Sequence, residues 1–383
     1  MLFLTIIVFI LILGLLIFAH EFCHFISAKR NGIRVEEFGI GIPPRIFGIY
    51  KENGKLHFFW GNKKVKTEST IYSLNWIPFG GFNNIYGMDS RIKEAGSFWT
   101  KSIGTRAKVI FAGVFGNFIL ASLLFSIVFA SGAPQAIEGE PPVGAFDIGV
   151  QIVQIAQNSP AEKSGLKIGD KIVQITTKNS QNQDIIQVEN PEDIQNFTSK
   201  HLGEDLILTI KRGNQVFDVE VATRINPPKG EGAMGIALTK IGRIAYPWYE
   251  AILKSFEYSF WLIGATITAF FQAIQGVIVG QTVPGIEIAG PIGVGGLVSQ
   301  MIDLGPIYVV QFTAILSINL FILNLIPFPA LDGGWLLFLL LEKIRKKPVK
   351  LETEALINQI GFTLLILLMI IVTFQDLQKL FLK

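Results

Sequence analysis

The chain alternates long apolar runs with polar, turn-rich stretches. Five segments of 19 residues or more carry no charged side chain: 1–19, 109–137, 258–286, 304–331 and 355–375. As a helix, each is long enough to cross the hydrocarbon core of a bilayer, about 30 Å thick. The first lacks the basic start and small-residue cleavage site of a signal peptide. Residues 27–106 read instead as strands and turns. Arg45–Tyr50 and Lys55–Trp60 flank Asn53-Gly54, a two-residue hairpin signal. Glu37–Pro44 is broken by glycine and proline, and Trp76–Phe82 predicts an apolar loop rather than a helix. So many aromatic residues beside an apolar helix admit two placements. One is a β-structure dipping into the bilayer, where irregular backbone survives only under protein cover or beside a water-filled cavity. The other is a plain cytoplasmic hairpin.

Residues 144–241 have the pattern of a separate α+β domain. Strands are expected at Val150–Ala156, Lys171–Thr176, Leu206–Lys211 and Val216–Ala222, the last two joined by the turn Arg212-Gly213-Asn214. The run from Ser159-Pro160-Ala161 through Gly165-Leu166 to Gly169-Asp170 resembles a PDZ domain of the circularly permuted, protease-associated kind. That resemblance makes Met234-Gly235-Ile236-Ala237 the ligand-groove loop, with Gly235 and Ile236 as substrate-binding positions, because PDZ domains add a peptide strand to a sheet edge. A domain that merely covers the membrane part is the plainer alternative.

Composition agrees with the apolar runs: half of the residues are hydrophobic and 16% are charged. The net charge of +3 gives no sign of a nucleic-acid partner. Charge distribution is more informative. Residues 27–106 carry 13 Lys/Arg against 6 Asp/Glu, 132–305 carry 12 against 18, and five Lys/Arg cluster between 343 and 350. The positive-inside rule then places 27–106 and 332–354 in the cytoplasm and the acidic segment outside. A single cysteine, Cys23, excludes an intrachain disulfide; it fits better as a small apolar filler than as a metal ligand.

The first apolar run ends in His20-Glu21-Phe22-Cys23-His24. Ionisable residues at membrane depth are costly and mark functional sites. Helical positions i and i+4 share a face, so His20 and His24 suit one zinc ion, with Glu21 placed to take a proton from the attacking water. A pair of histidines packed at a helix end is the alternative. With 4 His and 20 Glu in 383 residues, chance would give H-E-x-x-H in about 2 of 1000 such chains. Asp332 ends the run that contains Asn324-Leu325-Ile326-Pro327-Phe328-Pro329. Alone, it reads as an N-cap of a helix over Gly333–Lys346. With the histidines, it reads as a third ligand that leaves the fourth position open, as catalytic zinc requires. Pro327 and Pro329 break the helix and free backbone groups for an extended peptide. Asn324 and Asn319 can bind substrate or a freed carbonyl.

Taken together, these motifs resemble the site-2 proteases, in the RseP-like bacterial branch of intramembrane zinc metalloproteases. The likeness covers nearly the whole chain: H-E-x-x-H, the Ile77-Pro78-Phe79-Gly80-Gly81 loop, the PDZ-like insert, Gly290-Pro291-Ile292-Gly293, and N-x-x-P-x-P-x-L-D-G. The chain departs from the family in having one PDZ-like domain where some members have two, and Val114 where proline is expected. The resemblance implies cleavage of single-pass transmembrane proteins in a lipid bilayer, anti-sigma factors or signal-peptide remnants among them. It also implies a multi-pass location in the inner (cytoplasmic) membrane with the PDZ-like domain outside. A metal-bearing scaffold that recruits partners without cleaving them is the runner-up, although it has no need of Glu21. A zinc hydrolase of lipids or small amides fits the strand-bearing regions less well.

The expected fold is a polytopic α-helical membrane protein. Its four transmembrane helices are 1–26, with the zinc motif, 107–137, 304–334, with Asp332, and 355–376. A membrane-associated β-hairpin region spans 27–106, the PDZ-like domain 144–241, and an interfacial or re-entrant helix and loop 248–303. The last assignment follows from parity. His24 and Asp332 meet on one side of the membrane only if 258–286 does not cross it; Gln272, Gln275 and Gln281 also fit that placement.

Overall fold

The computed structural model describes residues 2–137, 139–178, 184–228, 230–279 and 290–381. In chain order the elements are α1 (Leu2–Arg30), β1 (Val35–Glu52), β2 (Lys55–Trp60), β3 (Ile71–Ile85), α2 (Ile103–Ala130), β4 (Ala133–Ala136), β5 (Phe146–Ile155), α3 (Pro160–Lys163), β6 (Lys171–Thr177), β7 (Ile185–Gln187) and α4 (Pro191–Lys200). There follow β8 (Asp205–Arg212), β9 (Gln215–Ala222), β10 (Ile236–Ile244), α5 (Trp248–Val279), α6 (Pro291–Leu304), α7 (Pro306–Leu325), α8 (Asp332–Arg345) and α9 (Leu351–Phe381). Among the described residues, four helices are long and apolar enough to cross a membrane: α1, α2, α7 and the Leu351–Gln378 part of α9. Their outward apolar side chains, such as Leu11 on α1 and Leu364, Leu367 and Leu368 on α9, are exposed, which suits lipid rather than water. The fold is that of a polytopic membrane protein. α5 is not among the four, and Gln281, one of the residues that sets it apart in the sequence, lies outside the described residues.

The chain forms two compact units, one of Met1–Phe125, Ser255–Ser299 and Gln311–Lys383, the other of Ser126–Lys254 and Gln300–Val310. In the first, β1, β2 and β3 make an antiparallel sheet in the order β2-β1-β3. Asn53 and Gly54, both at positive φ, form the β1–β2 turn as the sequence predicts. Phe47 lies opposite Trp60 and Leu74, and Ile49 opposite Phe58 and Tyr72. Directly opposed residues share a face, so one face of this sheet is a continuous aromatic and aliphatic surface.

The Trp76–Phe82 stretch, expected as a loop, is part of β3. Its glycines do not end the strand; they let two backbones approach. A Cβ at Gly81 would fall 2.8 Å from Gly39 O, and one at Gly41 2.7 Å from Ile77 O. β3 also meets α1. A Cβ at Gly80 would overlap the Ile17 side chain at 2.6 Å, and Pro78 O faces Gly14. Gly14 and Ile17 stand three to six residues further into the apolar run than His20.

The second unit carries a sheet in the order β4-β10-β5-β6-β8-β9, with β7 on β6. β8 shows the period-2 pattern of a half-buried strand: Leu206, Leu208 and Ile210 are fully buried and pack with Ile172, Ile175 and Ile194. Fully buried Asp170 accepts hydrogen bonds from Arg212 Nε (2.6 Å), Arg212 Nη2 (2.7 Å) and the Lys167 amide (2.8 Å). The four strands expected here all form. β4 has no separate signal in the sequence, because it continues the apolar run of α2.

Candidate metal centre

α1 carries His20 and His24 one turn apart, with Nε2 atoms separated by 3.1 Å. Asp332 Oδ2 lies 3.0 Å from His20 Nε2 and 3.2 Å from His24 Nε2. These three residues are the one group among the described residues whose ligand atoms are clustered closely enough to hold a metal ion.

The Asp332 carboxylate arrives through a loop that only small residues permit. α7 stops at Leu325, and the chain turns through Pro327 and Pro329 before α8 begins at Asp332. A Cβ on Gly333 would stand 2.0 Å from Ile326 O, and one on Gly334 2.5 Å from Phe328 O. The loop therefore folds back onto the first turn of α8. α9 supports it from the other side: Asn358 Oδ1 accepts from the Ala330 amide (3.1 Å), and Gly361 packs against Pro329. Leu331, not Asp332, occupies the N-cap position of α8. The cap alternative for Asp332 thus does not hold.

α2 supplies the surroundings of both histidines. His24 Nδ1 donates to Val109 O at 2.8 Å, which leaves its Nε2 with a lone pair. A Cβ on Gly113 would fall 2.1 Å from His24 Nε2, so that position has to be glycine if the ring is to stay. Asn117, with no exposed surface, places its side-chain amide 3.3 Å from His20 Nδ1. Sequence reasoning assigned Asn117 no role. The usable signal was a polar residue four positions after a glycine inside a charge-free run.

The cluster passes a simple test of fit to zinc. Ligand atoms bound tetrahedrally at the usual zinc distances stand about 3.3 Å apart, close to the 3.0–3.2 Å triangle observed. Asp332 Oδ2 is buried, yet its close contacts with the histidines do not align as hydrogen bonds. An acceptor in that state calls for a cation.

The other expected site residues are placed as follows. Glu21 is half-buried, its carboxylate within electrostatic reach of His20, His24 and Asp332. Asn319 and Asn324 are half-buried on α7, and Pro327 and Pro329 lie in the loop before Asp332. None of these four hydrogen-bonds to the cluster through its side chain among the described residues. Gly235 and Ile236 belong to the second unit. Gly235, at φ +75°, would place a Cβ 2.4 Å from Ser159 Cβ, and Ile236 opens β10 opposite Ile155. β4 pairs only with Ile241–Ile244 of β10, leaving the edge at Ile236–Thr239 without a strand partner among the described residues.

Four apolar helices and a mostly enclosed His/His/Asp set define a polytopic membrane protein with a metal-type centre. The family model for peptidase family M50 matches residues 8–368, and the chain belongs to that family. Relatives match along their whole length. Zinc metalloprotease RasP of Oceanobacillus iheyensis is 29% identical over 461 aligned residues, covering 99% of this chain and 100% of the relative. Regulator of sigma-W protease RasP of Bacillus subtilis is 28% identical, covering 99% of both. A Rickettsia conorii protein with a zinc-metalloprotease name is 31% identical, again covering 99% of both.

Proposed function

We propose that this chain is an intramembrane zinc metalloprotease that cleaves single-pass membrane proteins within or near their transmembrane segments. The observation that carries this is the convergence of His20 Nε2, His24 Nε2 and Asp332 Oδ2 on one point, beside a glycine that keeps the point open. Zinc held there supplies a Lewis acid that polarises a carbonyl and acidifies water. The residues of the chain do the rest. Glu21 takes the proton of the attacking water and returns it to the leaving amine. The Pro327–Pro329 turn, with Asn324 and Asn319, receives the unwound substrate, since a helix hides its carbonyls in internal hydrogen bonds. The contact of β3 with Gly14 and Ile17 supports a β region that enters the membrane next to the site.

The second unit serves as a PDZ-like extracytoplasmic domain. Its open β10 edge at Ile236–Thr239, entered through Gly235, suits addition of a peptide strand. The sigma-W name of the Bacillus relative points to regulated proteolysis, and the cytoplasmic membrane is the matching location.

The test is cleavage of a tagged single-pass membrane substrate by wild-type and Glu21→Gln protein, with zinc measured in both. Wild type alone should cleave, at equal zinc content, and a zinc chelator should stop it. Full activity in the variant would remove Glu21 from its role as base.

A further inference from the structure

α2 holds the two histidines in different ways. His24 Nδ1–H donates to Val109 O, which fixes the proton away from Nε2. His20 Nδ1 instead faces the side-chain nitrogen of Asn117 at 3.3 Å. Asn117 Oδ1, on a fully buried residue, has no hydrogen-bond partner among the described residues. A donor facing Nδ1 would force the His20 proton onto Nε2, the nitrogen aimed at Asp332. That is the wrong tautomer for a ligand. A carboxamide has nearly the same shape after a half-turn about its Cβ–Cγ bond. The half-turn brings Oδ1 to His20 Nδ1–H, gives the buried oxygen a partner, and leaves both histidines with Nε2 lone pairs facing Asp332.

We propose that Asn117 is a positioning residue for the metal: its side-chain oxygen accepts from His20 Nδ1–H and fixes His20 as an Nε2 ligand, as the Val109 carbonyl does for His24. This rests on the zinc set proposed above. Val109, Gly113 and Asn117 stand at i, i+4 and i+8 on one face of α2. Along that face the chain presents a carbonyl, an empty position and an amide, one after another, to the histidine helix. Ser317 Oγ of α7 donates to Asn117 O at 2.7 Å and pins this turn of α2. Partners on the far nitrogen of a ligating histidine set its tautomer and ring orientation.

The experiment uses full-length protein in detergent micelles. Wild type, Asn117→Asp, Asn117→Leu and His20→Ala are compared by zinc competition against a chromophoric chelator and by the melting temperature of the zinc-free form. Asn117→Leu, which has no acceptor, should bind zinc about 10- to 100-fold more weakly, with its zinc-free melting temperature kept. Asn117→Asp keeps an acceptor but no donor, and should stay within a few-fold of wild type. Wild-type zinc affinity in Asn117→Leu, or equal loss in the Asp and Leu variants, would overturn the proposal. His20→Ala separates the two levels: zinc binding unchanged in it would sink the three-residue site itself, whatever Asn117 does. If the Leu variant does not fold, Asn117→Ala takes its place and is judged by the same outcomes.

Discussion

Gly113 illustrates how much one missing side chain decides. Glycine inside a helix normally costs about 1 kcal/mol relative to alanine, yet here the added methyl would meet His24 Nε2 at 2.1 Å and Cδ2 and Cε1 at 2.4 Å. At that distance one of the two must shift, and the ring, at the end of a side chain, moves out of the cluster more cheaply than the α2 backbone bends. Gly113→Ala is therefore expected to cost at least about tenfold in zinc affinity and most of the cleavage activity, while the zinc-free melting temperature holds or rises. Metal titration beside thermal unfolding checks both halves. Equal zinc affinity would show that the ring has room the structure does not reveal. His20, Glu21 and His24 are legible in the sequence because a fixed spacing on one helix encodes their geometry. Gly113 is not, since its reason is an atom on another helix.

At the scale of elements, α2 does more than flank α1. Arg106 near its start is 4% exposed and pairs bidentately with Glu342 of α8, at 2.6 and 3.0 Å. Its guanidinium also lies over the Trp99 ring, 4.5 Å from the centroid, and Arg91, ion-paired with Glu354 of α9, lies at the same distance from that ring. Asp332 opens α8, so this pair ties the helix that carries the carboxylate to α2, the helix packed against both histidines. Arg106→Met should destabilise the protein by about 1–3 kcal/mol, because it leaves the half-buried Glu342 carboxylate without its partner. Adding Glu342→Met should recover most of that loss. Equilibrium unfolding of the single and double variants decides. A single variant as stable as wild type would show the pair to be solvated. The sequence hides this network, whose members are 236 and 263 positions apart.

Across the whole molecule, parity is the governing constraint. α1, α2 and α7 bring His24 and Asp332 to one depth only if the segment between α2 and α7 has no net crossing. α5 packs along α2, with Phe118 against Phe256 and Phe260 and the hydroxyls of Ser122 and Ser259 in contact. These contacts lie in the first half of α5. A topology reporter inserted between residues 280 and 289 should read as extracytoplasmic. A cytoplasmic signal would make α5 a fifth span and separate His24 from Asp332 by about 30 Å.

The linear pattern by itself determined the apolar runs, the polar insert that follows the second of them, and the two histidines. Each depends on local physics: transfer of apolar side chains from water, helix periodicity and turn chemistry. The Trp76–Phe82 stretch marks the limit of that information, since its glycines look like breakers in sequence and act as close-approach points in β3. The meeting of Asp332 with residues more than 300 positions away was expected from the motifs but given its geometry only by tertiary structure, which alone decided the glycine space around His24 and the α2 partners of both histidines. They depend on which helix lies against which, at what depth and in what rotation. Such information belongs to pairs of segments and is carried by neither one alone.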